Sequence, residues 1–329
     1  MDLSTTYLGL ELKNPIIVGS CGLTNNLKDI KKLEEAGAGA IVLKSIFEEQ
    51  IMNEVKHSSQ DPSVAGYYPE ALDYLTNYTR DFEVNKYLDF IKDCKKNVDI
   101  PIIASVNCVS NDEWIEFSNK IEEAGADALE VNLFIPTTEV SEKGEDIEKI
   151  YFSVVDKIRK SISIPFAIKI SHYFSNLSNM IQRLSISGIN GLVLFNRFYS
   201  PDINLETEEI VSSNILSNES EITIPLKWIG YMSNSAGCDI CGTTGFHTGE
   251  GVAKGILAGA KAIQIVSTIY KKGHDRVSEV IRELEEWMEE KGYSSISQFQ
   301  GKLAKSKDYN PAAYERSQFM KYFSEFGKN

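Results

Sequence analysis

Glu122-Glu123-Ala124-Gly125-Ala126-Asp127-Ala128-Leu129-Glu130-Val131-Asn132 reads as a helix end, a glycine and a short apolar strand. The same joint recurs at Glu34-Glu35-Ala36-Gly37-Ala38-Gly39-Ala40-Ile41-Val42-Leu43-Lys44. It returns at Ser185-Ile186-Ser187-Gly188-Ile189-Asn190-Gly191-Leu192-Val193-Leu194-Phe195-Asn196, and again at Ile256-Leu257-Ala258-Gly259-Ala260-Lys261-Ala262-Ile263-Gln264-Ile265-Val266. In each copy the glycine supplies the left-handed cap that stops the helix. Four copies of one helix-to-strand joint imply alternating helices and strands, hence a parallel sheet.

The remaining strands open on proline, at Asn14-Pro15, Ile100-Pro101 and Ile164-Pro165, or run from Gly237 to Cys241. Proline is tolerated at the first residue of a strand. Strand starts near 15, 40, 101, 128, 165, 191, 238 and 262 make eight. Their near-continuous apolar runs suit strands covered on both faces. The expectation is an α/β fold, a (β/α)8 TIM barrel, with an open doubly wound sheet as the alternative. One domain over 1–329 is expected, with an amphipathic helix over Val277–Lys291 and a polar tail. Inserts over 46–80, after strand two, and 197–233, after strand six, fall on the face where barrels build active sites. The second is expected to hold an extra strand, Leu226–Gly230.

The chain has 329 residues, 42% of them hydrophobic, and a formal net charge of −13 from 47 acids against 34 bases. Such acidity repels phosphate backbones and argues against a nucleic-acid partner. No run approaches the roughly 18–20 apolar residues of a membrane span, and Met1-Asp2-Leu3-Ser4 lacks the shape of a signal peptide. A cytoplasmic protein without a membrane partner is the expectation. Five cysteines argue against a disulfide framework. Cys238 and Cys241 have redox-motif spacing, but residues three apart on a strand face opposite ways. The four histidines show no metal-ligand pairing, so no metal is expected.

Polar residues stand where the apolar strands finish: Lys44 and Ser45 on strand two, Asn107 on three, Asn132 on four, Lys169 on five and Asn196 on six. Together they would floor a barrel mouth with cations and amides. Strand seven runs into Gly242-Thr243-Thr244-Gly245, and strand eight into Ser267-Thr268. Small residues after two neighbouring strands leave N–H and hydroxyl groups open to a phosphate. A flat heteroaromatic with a phosphate on its tail, such as flavin mononucleotide (FMN), suits both features.

These strand-end residues resemble those of the class 1 dihydroorotate dehydrogenases. So does the block GTTGFHTGEGVAKGILAGAKAIQIVSTIYKKG followed by ELEEWMEEKGYSSISQFQGKL, and the likeness runs from Leu3 to about Leu303. The resemblance implies a barrel holding FMN, hydride transfer from a CH–CH group to flavin N5, a possible place in pyrimidine biosynthesis, and a homodimer. It implies flavin contacts for Ser20, Lys44, Ser45, Asn107, Asn132 and Lys169. A phosphate grip falls to Thr244, Gly245, Ser267 and Thr268, and substrate binding to Asn132 and Asn196.

The departures lie on the substrate side. After strand four the family reads Asn-Leu-Ser-Cys-Pro-Asn, and its cysteine takes the substrate proton. Here Asn132-Leu133-Phe134-Ile135-Pro136-Thr137 puts Ile135 in the base position, and isoleucine accepts no proton. His172 and Thr137 are weak candidates for a substitute, and Tyr67, Tyr68 and Thr138 also lie on loops of that face. The expectation is an FMN-dependent oxidoreductase of a small orotate-like or other conjugated compound, with ordinary dihydroorotate oxidation doubtful. Two alternatives stay open. One is a flavin-binding protein with little catalysis. The other is a phosphate-binding barrel lyase or isomerase using Lys44 or Lys169.

Overall fold

The computed structural model describes residues 1–47, 69–108, 114–135, 139–197, 201–212 and 215–305; for residues 47, 69–81, 108 and 114–116 it describes the backbone alone. Strands β3 (Ile16–Val18), β4 (Ala40–Val42), β6 (Ile102–Cys108), β7 (Ala128–Leu133), β8 (Phe166–Ile170), β9 (Gly191–Leu194), β12 (Asp239–Gly242) and β13 (Ala262–Ile265) are the eight expected. All their pairings are parallel, β13 pairs with β3 and β4 pairs with β6, so the ring closes. The (β/α)8 barrel stands and the open sheet does not.

The glycine of each repeated joint does what its sequence demands. Gly37, Gly125, Gly188 and Gly259 have φ of 101°, 92°, 97° and 114°, a region costly to any residue with a Cβ. Three residues later each joint places a small residue, Ala40, Ala128, Gly191 or Ala262, at the base of a strand. These leave the barrel floor wide enough for a plug. The hairpin of β1 (Thr5–Tyr7) and β2 (Leu10–Leu12) supplies it, burying Tyr7, Leu8 and Leu12 against Ile17, Ala40, Ala128, Ala167, Val193 and Ala262. A Cβ on Gly191 would lie 2.5 Å from Leu8. Each plugging side chain contributes about 1.5–3 kcal/mol through burial.

The helices wrap the outside: α1 (Leu27–Glu35), α2 (Pro69–Asn97), α3 (Trp114–Glu123), α4 (Gly144–Ser161), α5 (Leu177–Ser185), α6 (Thr223–Met232), α7 (Gly249–Ala258), α8 (Ser267–Lys272) and α9 (Arg276–Lys291). Side-chain caps start three of them: Asn26 on α1, Asn176 on α5 and Thr248 on α7. No helix among the described residues is long and apolar enough to cross a membrane. Cys241 faces the barrel interior and Cys238 the outer layer, and both are free thiols.

One expected element is corrected. Leu226–Gly230 is not a strand but part of α6, with Pro225, Ile229 and Met232 buried at helical spacing. Its apolar run is too short for period alone to separate strand from helix, and the proline in the first turn is the signal that decides. The strands of that insert are instead the exposed antiparallel hairpin β10 (Pro201–Asn204) and β11 (Glu209–Ser212). Of the first insert, β5 (Ile46–Phe47) and α2 are described.

Candidate active site

At the C-terminal mouth of the barrel, strand two detaches from its neighbour and then rejoins it. Leu43 N–H still donates to Ile103, but Lys44 N–H turns to the carbonyl of Thr24, and β5 rejoins β6 at Val106. The gap exposes the backbone of Ser105. Tyr87, from α2, fills it, accepting from Ser105 N–H at 2.8 Å and donating to its carbonyl at 3.1 Å. In the same gap Ser45 N–H donates to Ser20 Oγ at 2.9 Å, and the Ser45 and Ser105 hydroxyls meet at 2.7 Å. Lys44 and Ser45 are thus fixed by a serine chain that ties three strands together.

Asn107, Asn132 and Lys169 occupy one level of the mouth, because Asn107 pairs in register with Asn132 and Asn132 with Lys169. The Lys169 ammonium donates to Gln264 Oε1 at 3.0 Å and lies 3.4 Å from Glu130 Oε1. Gln264 Nε2 donates in turn to the second oxygen of Glu130. The Glu130 side chain is 2% exposed and that of Lys169 12%. Two charges this deep survive only when paired and fully hydrogen-bonded, and the Gln264 amide completes the set. Asn196 donates its amide to Asn132 Oδ1. The oxygen of Asn107 is buried with no partner among the described residues. A buried acceptor left bare asks for a donor from a bound molecule.

Beside this level opens a cleft of ≈ 680 Å³, the size of a small-molecule site. Ser20, Lys169, Asn196, Thr244, Gly245 and Ser267 line it. Thr244 and Gly245 have φ of 73° and 83°, two left-handed residues in a row, and neither backbone N–H has a partner among the described residues. The Thr244 hydroxyl donates to the carbonyl of Phe195 at 3.2 Å, leaving its backbone for a ligand. Ser267 Oγ accepts from Ser217 N–H at 3.0 Å, which leaves its own O–H to donate.

The roof is a segment of the second insert, which the sequence marks as a candidate lid without pointing to these particular residues. Ser217 is also held by His247 Nε2 at 2.9 Å and by Lys271 at 2.7 Å. Arg197 makes a forked pair with Glu221, at 2.7 Å and 3.3 Å, and donates to the carbonyl of Ile215 at 3.0 Å. The chain then passes so near Gly245 that a Cβ there would lie 2.1 Å from the nitrogen of Ile222.

Several sequence candidates sit elsewhere. The hydroxyl of Thr268 is turned away from the cleft, donating to the carbonyl of His247 and accepting from buried Arg276. Ile135 is partly buried against the core. His172 is half-buried, packed on Tyr173 and Phe195, and does not line the cleft. Burial holds its pKa below the usual histidine range, so the ring is neutral at neutral pH. Thr137, Thr138, Tyr67 and Tyr68 lie outside the described residues. Glu130 and Gln264 went unremarked, although a lone polar residue in an otherwise apolar strand was the available signal. Glu130 also shares the inward parity of Asn132, two residues on.

The donors suit a phosphorylated flat ring system. The unpaired N–H groups and the Ser267 hydroxyl would take the phosphate, and the bare Asn107 oxygen and the Lys169 ammonium would face polar ring edges. Comparison with known proteins gives the family. The family model described as dihydroorotate dehydrogenase matches residues 2–288. The catalytic subunit of dihydroorotate dehydrogenase B (NAD(+)) from Thermoplasma volcanium is 28% identical over 307 residues, covering 91% of this chain and 98% of its own. Dihydroorotate dehydrogenase (fumarate) from Lachancea kluyveri is 24% identical over 326 residues, covering 92% and 98%. Dihydroorotate dehydrogenase A (fumarate) from Limosilactobacillus reuteri is 27% identical over 274 residues, covering 80% and 86%. The chain belongs to the dihydroorotate dehydrogenase family.

Proposed function

We propose that this protein is an FMN-dependent oxidoreductase acting on the CH–CH group of a small, flat, orotate-like substrate. The observation that carries the reading is Lys169, a cation held at the barrel mouth level with two amides and next to a phosphate-sized nest of N–H groups. Bound FMN supplies the two-electron acceptor for hydride. Lys169 stabilises negative charge as it develops at that level, from a position fixed before reaction. Asn132 and Asn196, joined by a hydrogen bond between their side-chain amides, present a hydrogen-bonding edge to a substrate. The serine chain through Ser20, Ser45 and Ser105 keeps Lys44 at the rim, where it makes no ion pair among the described residues, ready for an anionic substituent.

The proton that leaves with the hydride needs an acceptor, and Ile135 offers none at the family's base position. That residue favours a second reading, a flavin protein that turns over dihydroorotate poorly or not at all. A lyase or isomerase using Lys169 as nucleophile fits less well, because its ammonium is engaged by Glu130 and Gln264. The visible spectrum of the purified protein tests the first claim: yellow protein, or protein that takes up FMN, is expected, and colourless protein after incubation with FMN overturns it. Anaerobic titration with dihydroorotate then separates the two flavin readings. A homodimer is part of the same proposal, and light scattering checks it.

A further inference from the structure

The interior of the barrel holds a charge that the reaction does not consume. Glu130 sits below the mouth, with its carboxylate between the Lys169 ammonium and the Gln264 amide. Gln264 bridges the pair, accepting from Lys169 with its oxygen and donating to Glu130 with its nitrogen. Each member thereby fixes the orientation of the other two. The layer below is mostly hydrocarbon, from Ile103, Ala128, Ala167 and Val193, with the Tyr7 hydroxyl and the Cys241 thiol as its polar groups, and none of these is a cation that would call for a carboxylate. Replacing the Glu130–Lys169 pair together by hydrocarbon of similar volume would serve stability as well or better, whereas losing Glu130 alone would strand the ammonium. A buried acid in such a place acts through its charge.

We propose that Glu130 is a positioning residue that offsets the charge of Lys169 and so sets the reduction potential of the bound flavin. The inference rests on the FMN reading given above. Lys169 alone would place a full positive charge at the ring level and favour the reduced, more negative cofactor. With Glu130 ion-paired behind it, the cofactor meets a weaker field and is held at a lower potential. Gln264 keeps the ammonium from tilting wholly onto Glu130 and leaves part of its charge for the cleft.

The test is the midpoint potential of the FMN-loaded protein, measured by dye-linked equilibrium reduction. Glu130→Gln is expected to raise the reduced-to-oxidised ratio tenfold at fixed potential, about 30 mV for a two-electron couple. In the Lys169→Met background the same change is expected to move the potential much less, because Glu130 then has no ammonium to hold at the ring level. A potential unmoved or lowered by Glu130→Gln, or moved equally in both backgrounds, overturns the proposal. If Glu130→Gln does not fold, Gln264→Leu replaces it: the ammonium then tilts toward Glu130, and the potential is expected to fall. No change in that variant also overturns it. Failure of the wild-type protein to bind FMN is a different result, and strikes the functional reading instead.

Discussion

The two ends of the cleft are built differently. At the phosphate end each group has a second holder: Ser217 by Ser267, His247 and Lys271, Thr244 by Phe195, and Glu221 by Arg197. At the proposed substrate end Asn132 and Asn196 are held chiefly by each other, and Ile135 stands where the family resemblance puts the base. Redundant anchoring suits a group that stays bound through many turnovers. Sparser anchoring suits one that comes and goes, because donors and acceptors left over cost stability until a ligand satisfies them. On the proposed reading, the difference teaches that binding of the resident molecule and choice of substrate are separately encoded, so that one can drift while the other is kept.

The largest effect should come from breaking the phosphate end. Gly245 has φ of 83° and no room for a Cβ, the nearest atom being backbone nitrogen, which cannot step aside as a flexible side chain would. Gly245→Ala is expected to weaken FMN binding about 100-fold, roughly 3 kcal/mol, by pushing the 215–222 roof off the turn. Fluorescence titration with FMN measures it, with circular dichroism to show that the barrel persists. Wild-type affinity in this variant would mean that the turn does not hold the phosphate.

How much of this was legible in the sequence follows the same division. The joints were readable because each packs a helix stop, a glycine and a strand start into a local code that no distant contact overrides. The strand-end candidates were readable because a polar residue ending an apolar strand has one place to go in a barrel. The hydroxyl of Thr268 departs from expectation because spacing fixes proximity, not direction: successive residues opening a helix point about 100° apart, so the Ser267 side chain faces the cleft and that of Thr268 the core. The strap of Arg197, Ser217 and Glu221 was hidden for another reason. It joins residues across a long insert, through contacts that no local pattern announces. Glu130 was visible as an oddity, but its meaning needed Gln264, more than a hundred residues away in the chain and beside it in space.

A smaller effect should come from loosening the roof. Glu221 accepts from Arg197 and, at 2.7 Å, from Asn218 N–H. Burial works to raise its pKa, but the bonds from Arg197 and Asn218 outweigh it and hold the carboxyl below the usual range. A depressed carboxylate pKa contributes stability that is present above the unfolded value and lost as pH falls through the folded one. FMN release should therefore quicken below about pH 4, the ordinary carboxylate range. Glu221→Gln keeps the shape without the charge. As the pair is partly exposed and screened, about 1 kcal/mol or less is expected, seen as a several-fold faster FMN off-rate by stopped flow and a weaker acid dependence. An unchanged off-rate would mean that the roof is held by Ser217 alone.

The smallest effect bears on the substrate end. His172 is the described side chain best suited by chemistry to replace the missing base, since its ring is neutral at neutral pH and can accept a proton. Its position speaks against that role: it packs on Tyr173 and Phe195, with ring centroids 4.3 and 5.7 Å away, and does not line the cleft. His172→Asn is therefore expected to cost about 1 kcal/mol of stability from lost ring packing. Whatever rate of flavin reduction dihydroorotate produces should change by no more than about twofold, since removing a working general base typically costs about 10²–10⁴. Single-turnover reduction followed at the flavin band decides it. A hundredfold loss, with a wild-type rate that also falls as pH drops below the ordinary histidine range, would make His172 the substitute base. The substrate end would then be as purposefully built as the phosphate end, with its acceptor carried by the loop after β8 instead of the loop after β7.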